Sequence, residues 1–134
     1  MIQYRSLVLE TPAPTPDASR DFMLAQLAFH TDAWDVAADL EHGITDIVVV
    51  DARSREAYCA EHIPGAISFP HLEMSPETTA RLDASKTYVV YCDGIGCNGS
   101  MKGAYKLAAA GYKVKEMLGG LDFWKRDGHP VERG

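Results

Sequence analysis

The hydrophobic positions of the chain follow two patterns: short continuous apolar runs, and longer stretches in which apolar residues recur three or four positions apart. Residues 47–51 and 88–91 are short runs rich in β-branched or aromatic residues, which is typical of parallel strands covered on both faces. A shorter strand is predicted at 67–70. Residues 112–117 alternate lysine with apolar residues, which predicts a more exposed strand.

Helices are predicted before and between these strands. The predicted segments are 17–29, 31–43, 55–61, 76–82, 100–110 and 121–126. Ser54 and Ser75 precede two of them as N-cap residues, and Pro76 suits the first turn of a helix. Strands that alternate with helices predict an α/β fold with a mostly parallel sheet, in which ligands bind beyond the carboxyl ends of the strands.

The N-terminal third of the chain differs from the rest in its predicted elements. A length of 134 residues fits one core, which can bury roughly two-thirds of the unfolded surface. Residues 1–16 contain three prolines, which impose an extended conformation. We therefore divide the chain into an arm and helical extension at 1–43 and a core domain at 44–134. The two helices of the extension are expected to pack on the core or on a second copy, which leaves a homodimer open.

Charge and hydropathy argue against two classes of partner. Nineteen acidic and thirteen basic residues give a net charge of -6, without a cluster of lysine and arginine. Nucleic acid and anionic membrane surfaces are therefore not expected as partners. No apolar run approaches the roughly eighteen residues of a membrane span, and the first ten residues lack the pattern of a signal peptide. We expect a cytoplasmic protein.

The three cysteines, Cys59, Cys92 and Cys97, are too few and odd in number for a secreted disulfide framework, which fits a reducing compartment. A zinc site at Cys92 and Cys97 would need two more ligands from five scattered histidines that show no paired spacing. We therefore predict no metal ion.

The stretch between the 88–91 strand and the 100–110 helix carries the candidate chemistry. A loop rich in glycine can turn its backbone N–H groups inward as an anion cradle. The helix start beyond it favours a thiolate over a thiol at Cys92. Cys92 is thus a candidate nucleophile, although a buried small hydrophobe at a strand end explains it equally well from these residues alone. The predicted anion-binding loop consists of Asp93, Gly94, Ile95, Gly96, Cys97, Asn98, Gly99 and Ser100.

Several short motifs occur in an order and at a spacing that point to one family. They are Val50-Asp51-Ala52-Arg53, Glu56-Ala57-Tyr58, His62-Ile63-Pro64-Gly65-Ala66, Val90-Tyr91-Cys92, Gly119-Gly120-Leu121-Asp122-Phe123-Trp124 and Gly128-His129-Pro130-Val131. Over about residues 44–132 the chain resembles a single-domain rhodanese, a sulfurtransferase homology domain. The resemblance implies a rhodanese-like five-stranded, mostly parallel sheet flanked by helices. It also implies that Cys92 carries sulfur as a persulfide, without a metal or organic cofactor.

The loop departs from the common rhodanese pattern Cys-x-x-Gly-x-Arg-Ser. It is longer, lacks the arginine, and resembles a less common variant with a Cys-x-x-x-x-Cys-Asn-Gly sequence. Without a guanidinium, sulfonate oxygens lose a bidentate partner, and Asp93 adds a repelling charge beside the nucleophile. We therefore expect thiosulfate to be a poor donor. Lys102 is the nearest positive candidate, with a solvated helix face as the alternative interpretation.

Four further residues have open or supporting roles. Asp51 and Arg53 either assist the site or, as the resemblance favours, tie strand ends to loops. His62 is expected to fix its turn, because a nucleophile that is already an anion needs no general base. Cys97 has three interpretations: it is inert, it resolves a persulfide or sulfenate on Cys92 as a disulfide, or it accepts sulfur itself.

The resemblance implies a sulfurtransferase that moves sulfane sulfur from thiosulfate or a persulfide donor to a thiol or cyanide. The donor is a small molecule or a protein persulfide. A non-catalytic persulfide or redox sensor, or an interaction module, is the main alternative. A phosphatase or arsenate reductase of related fold is a third class, against which the missing loop arginine speaks.

Overall fold

The computed structural model describes residues 3–134, whose central feature is a five-stranded parallel sheet. The strands are β1 (His30–Thr31), β2 (Ile47–Asp51), β3 (Ile67–Ser68), β4 (Thr87–Tyr91) and β5 (Lys113–Met117). The helices are α1 (Pro16–Phe29), α2 (Ala33–Glu41), α3 (Arg55–Ala60), α4 (Pro76–Thr79), α5 (Gly99–Ala109) and α6 (Gly120–Arg126). Short 3-10 turns occupy Val8–Glu10 and His71–Glu73.

The strand order is β1-β5-β4-β2-β3, with β4 at the centre. Successive side chains of β2 and β4 point to opposite faces, so the sheet separates two apolar clusters. Val49 and Val89 belong to the cluster that includes residues of α2 and α6, whereas Val50 and Val90 belong to the cluster that includes Leu107 of α5. Both strands are therefore buried on both faces, and the continuous apolar runs follow from that.

The predicted α/β fold with a five-stranded parallel sheet is confirmed. Two of the differences between predicted and observed helix boundaries have a local structural cause. The segment predicted as a helix from Thr31 begins with β1, and α2 starts at Ala33 with the side chain of Asp32 as its N-cap. The helix predicted to reach Leu82 ends at Thr79. The carbonyl oxygen of Thr79 accepts hydrogen bonds from the Leu82 N–H at 3.1 Å and from the Tyr112 hydroxyl at 2.6 Å, so a tighter turn and a tertiary contact follow the helix.

The N-terminal extension contacts the sheet unevenly. β1 pairs with β5, and Ala33 and Val36 of α2 are core residues. In contrast, α1 buries none of its residues, and its large apolar side chains are mostly exposed. The division at residue 43 and the packing of α1 on a second copy stay predictions. Across residues 3–134, no helix is both long and apolar enough to cross a membrane.

Candidate active site

Cys92 directly follows β4 and lies at the carboxyl edge of the sheet, with only 5% of its surface exposed. The start of α6 packs on the backbone of its loop. The N–H of Leu121 donates to the carbonyl of Cys92 at 2.9 Å, and a Cβ added at Gly120 would lie 2.5 Å from that same oxygen. Glycine at 120 is therefore what lets the loop and α6 approach so closely.

Cys92 and Cys97 form a disulfide, with their Cα atoms 6.3 Å apart. The N–H of Cys97 donates to the carbonyl of Gly94 at 3.1 Å, so a turn folds the far limb of the loop back towards Cys92. One of the three interpretations of Cys97 requires this pairing with Cys92, whereas the cysteine count does not indicate it, because a count carries no information on spatial neighbours. Cys59, the third cysteine, is free and exposed.

Gly99 gives the two sulfur atoms the space that they occupy. A Cβ at this position would lie 2.9 Å from the Sγ of Cys92, 3.7 Å from the Sγ of Cys97 and 3.4 Å from the Cδ2 of His71. The two cysteines and the histidine therefore surround the same glycine at the start of α5. A side chain at 99 would displace at least one of them.

Several backbone N–H groups of the loop donate no hydrogen bond within the described residues. Within residues 3–134, no hydrogen-bond acceptor faces the N–H groups of Gly94, Ile95, Gly96, Asn98, Gly99 and Ser100. Unpaired N–H groups are what an anion cradle requires. α5 begins at Gly99 without a side-chain cap, so the positive end of its dipole also remains available. The convergence of these groups on Cys92 stays a prediction.

Two clefts meet at the disulfide. The first, which we call the His71 cleft, has a volume of about 460 Å³ and is lined by Arg53, Arg55, His71, Glu73 and Asp93. The second, which we call the Glu116 cleft, has a volume of about 430 Å³ and is lined by Ile95, Met101, Glu116 and Leu118. Cys92 and Cys97 line both clefts. The sulfur atoms can therefore be approached from a charged side and from a more apolar one.

A buried ion network, consisting of Asp51, Arg53 and Tyr91, lies beneath the loop. Arg53 Nη2 donates to Asp51 Oδ2 at 2.7 Å, and the Tyr91 hydroxyl donates to the same oxygen at 2.7 Å. Burial lowers the pKa of Arg53, but its hydrogen bonds with Asp51 and the charge of Asp51 outweigh burial and raise it. Burial and the charge of Asp51 raise the pKa of Tyr91. Both groups therefore stay protonated and donate.

The network also corrects the expected electrostatics of the loop. Arg53 Nη1 donates to Asp93 Oδ1 at 3.1 Å, so the charge of Asp93 is paired rather than free to repel an anion. Arg55 lines the same cleft and is paired with Glu73. Lys102 is exposed and lines neither cleft, and its role as a supporting positive group stays a prediction. The pattern of the loop could not indicate these arginines, because Arg53 follows β2 and Arg55 begins α3.

His62 lies outside both clefts in the described part of the chain. Its Nδ1 is 2.8 Å from the carbonyl oxygen of Tyr58, its ring stacks on that of Tyr58, and its backbone pairs with Glu132. These contacts fit the predicted role in fixing a turn. Ser100, the last residue of the predicted loop, donates to Glu116 Oε2 at 2.7 Å.

His71 and Glu116 are site residues that the sequence patterns missed. His71 lies three positions after the end of β3, so the rule that ligands bind at carboxyl strand ends was the signal that could have found it. Its Nδ1 is buried without a partner among residues 3–134. Burial lowers the pKa of His71, and Lys106 and Lys102 add to that shift, so the imidazole is neutral at neutral pH. Glu116 lies on a strand whose alternating lysines predict exposure, and nothing in that sequence pattern indicates a cleft.

A metal ion has no evident place at the site. Within residues 3–134, no group of three or more histidine, cysteine, aspartate or glutamate side chains is arranged to hold one. The reactive groups that the geometry brings together are two sulfur atoms and a neutral imidazole, next to a loop in which several backbone N–H groups make no hydrogen bond. This arrangement suits thiolate chemistry on an anionic or polarisable substrate.

Comparison with known proteins points to one family. Residues 34–127 match the family model described as "Rhodanese-like domain". The thiosulfate sulfurtransferase GlpE of Coxiella burnetii is 33% identical, over 81% of this chain and 94% of that protein. The HTH-type transcriptional regulator Rv0324 of Mycobacterium tuberculosis is 32% identical over 88% of this chain, which spans only 60% of the regulator's length.

Solved structures agree with this result. The BH2092 protein from Bacillus halodurans has a TM-score of 0.86 and 39% identity, and the match covers 89% of this chain and 87% of that one. A thiosulfate sulfurtransferase from Pseudomonas aeruginosa has a TM-score of 0.69 and 27% identity, over 83% of this chain and 21% of that enzyme. The likeness extends over most of this chain in both cases.

Proposed function

The chain belongs to the rhodanese-like domain family, and on that premise we propose that it is a sulfurtransferase whose sulfur carrier is Cys92. The observation that carries the proposal is the position of Cys92. It lies at the carboxyl end of the central strand, where two clefts meet and where the loop that follows has unpaired N–H groups. The name of the GlpE relative, a thiosulfate sulfurtransferase, supports the same reaction class.

The proposed reaction begins with the reduced form of Cys92. Its thiolate attacks the outer sulfur of thiosulfate or of a persulfide, the sulfur–sulfur bond of the donor breaks, and sulfite or a thiolate leaves. The product on the protein is a Cys92 persulfide anion. Free N–H groups of the loop and the start of α5 would stabilise its terminal sulfur. A thiol or cyanide then takes that sulfur and restores the Cys92 thiolate.

We infer that a persulfide is a better donor than thiosulfate. Thiosulfate is a dianion, and the two arginines of the His71 cleft already pair with Asp93 and Glu73. A sulfonate would have to compete for those guanidinium groups, whereas a persulfide needs only the outer sulfur to reach Cys92. The donor is small or is carried by a protein, and we place the reaction in the reducing cytoplasm. A homodimer stays a prediction.

The test is intact-mass analysis of the reduced Cys97→Ser variant, which keeps Cys92 without a neighbouring thiol, after separate exposure to thiosulfate, a low-molecular-weight persulfide and a phosphatase substrate. We expect the persulfide to add the mass of one sulfur atom, and cyanide to remove it as thiocyanate over repeated cycles. A stable adduct without turnover would identify a sensor instead. A phosphoryl adduct, or no adduct from any donor, would overturn the proposal.

A further inference from the structure

The disulfide between Cys92 and Cys97 is also a product that sulfur transfer itself can form. We propose that Cys97 attacks the Cys92 persulfide, so that the protein releases the sulfur as sulfide and ends the half-reaction as the disulfide. The activity is then reductive release of sulfane sulfur, with a dithiol as the final electron donor. This inference rests on the proposed function, because it needs a persulfide on Cys92.

The step balances without a further reactant. The Cys97 sulfur attacks the inner sulfur of the Cys92 persulfide and forms the Cys92–Cys97 bond. The bond between the Cys92 sulfur and the outer sulfur breaks, and its electron pair leaves with the outer sulfur. The Cys97 thiol proton goes to that sulfur, which departs as hydrosulfide. In this step the outer sulfur is reduced and the Cys97 sulfur is oxidised, while the Cys92 sulfur keeps the oxidation state that it reached when it accepted the sulfane sulfur.

The geometry favours this attack over attack by an external thiol. The folded loop brings the Cα atoms of the two cysteines to 6.3 Å from each other, and both sulfurs border the space that Gly99 leaves open. An intramolecular thiol in such a position has a large effective concentration. The Cys92 sulfur is reached from two clefts, so an outer sulfur pointing into one cleft leaves the other side open to Cys97. No other cysteine of the chain is at the site, because Cys59 is free and exposed on α3.

The site returns to its starting state by reduction of the disulfide. Cys97 is half-buried, whereas Cys92 is buried, so an incoming thiolate reaches the Cys97 sulfur more easily. Its attack forms a mixed disulfide at Cys97 and expels the Cys92 thiolate, which is the better leaving group beside the helix start. The second thiol of the dithiol then attacks its partner sulfur and releases Cys97. Each cycle converts one sulfane sulfur and one dithiol into sulfide and a disulfide.

A single-turnover experiment tests the proposal. The full chain is reduced, freed of reductant under anaerobic conditions and mixed with one equivalent of a low-molecular-weight persulfide. Free sulfide and the intact mass are then followed in wild type, Cys97→Ser and the control Cys59→Ser. Wild type and the control should release sulfide and lose the mass of two hydrogen atoms. Cys97→Ser should instead gain one sulfur atom and release sulfide on the order of tenfold more slowly.

The possible outcomes separate this inference from the proposed function. Wild type that holds the extra sulfur as long as Cys97→Ser does would overturn the inference and leave the sulfurtransferase intact. The same holds if the rate of sulfide release rises with protein concentration. If peptide mapping finds the sulfur on Cys97, the inference falls together with the assignment of Cys92 as the sulfur carrier. If Cys97→Ser and wild type both fail to take up sulfur, the proposed function falls and the inference falls with it.

Discussion

Two adjoining regions at the carboxyl edge of the sheet treat their polar groups in opposite ways. In the buried ion network, Asp51 is fully buried, and its carboxylate accepts hydrogen bonds from Arg53 and Tyr91. In the loop that begins at Cys92, six backbone N–H groups have no acceptor among residues 3–134. Paired groups hold a shape, and unpaired groups remain available to a ligand. We infer that the network determines stability and the loop determines reactivity.

The largest effect should come from Cys92→Ser. A hydroxyl at this position is far less nucleophilic than a thiolate, so sulfur uptake should be lost completely. The free energy of unfolding of the reduced protein should change little, because serine and cysteine are close in size. Persulfide formation is measured by intact mass, and unfolding by urea titration in the presence of a reductant. Sulfur uptake at the wild-type rate would place the site elsewhere.

Asp51→Asn tests the network and should produce the largest loss of stability. Removing the carboxylate leaves the buried guanidinium of Arg53 with only the exposed carboxylate of Asp93 as an ionic partner. The loss of a buried partner costs about 3–5 kcal/mol. The urea midpoint should fall accordingly. Asp17→Asn is the control, because Asp17 forms an exposed ion pair with Arg20, for which less than about 1 kcal/mol is expected. Equal losses of stability in the two variants would mean that the buried ion network stabilises the fold no more than an exposed ion pair does.

Gly99→Ala tests the loop at the point where space is tightest. The new Cβ would lie 2.9 Å from the Sγ of Cys92, so the sulfur or the helix start has to move. We expect sulfur uptake to slow by roughly tenfold, since a misplacement of about 1 Å is costly to a positioned nucleophile. Gly65→Ala is the control: it is strained by a positive φ but meets no atom. It should lower stability by about 1 kcal/mol without slowing uptake.

Asp93→Asn should have the smallest effect, because Asp93 belongs to the loop and is also paired with the network. Neutralising it removes a negative charge from the His71 cleft and frees Arg53 Nη1 for a sulfonate oxygen. The KM for thiosulfate should fall by a few-fold, and the gain should shrink as ionic strength rises. Steady-state kinetics at two salt concentrations measure both. Identical KM values for Asp93→Asn and wild type at low salt would show that the charge of Asp93 does not determine the donor preference.

Local chemistry made part of the site predictable. Cys92, its glycines and the start of α5 are consecutive in the chain, so strand, loop and helix signals located them together. Arg53 and His71 were harder to place, because Arg53 meets Asp93, which is forty positions away in the chain, and His71 follows a strand of two residues. Such contacts depend on how strands pair, which is a property of the folded sheet rather than of any short stretch.

The fold shows the same limit. The continuous apolar runs of β2 and β4 predicted the parallel sheet, because burial on both faces leaves a strong pattern. β1 escaped prediction, since two residues cannot display a period, and its strand character comes from pairing with β5. The sequence predicts that Asp93 is an unpaired charge that repels anions. In the structure its charge is paired with Arg53.

The same brevity of β1 has a consequence for the protein at high concentration. Both outer strands of the sheet, β1 and β3, are two residues long, whereas the three inner strands each have five. A long outer strand presents a row of unpaired N–H and carbonyl groups that can recruit a strand of another chain. Outer strands of this length offer too few such groups to start a growing fibril. The sheet is thus protected against amyloid-like assembly by the shortness of its borders.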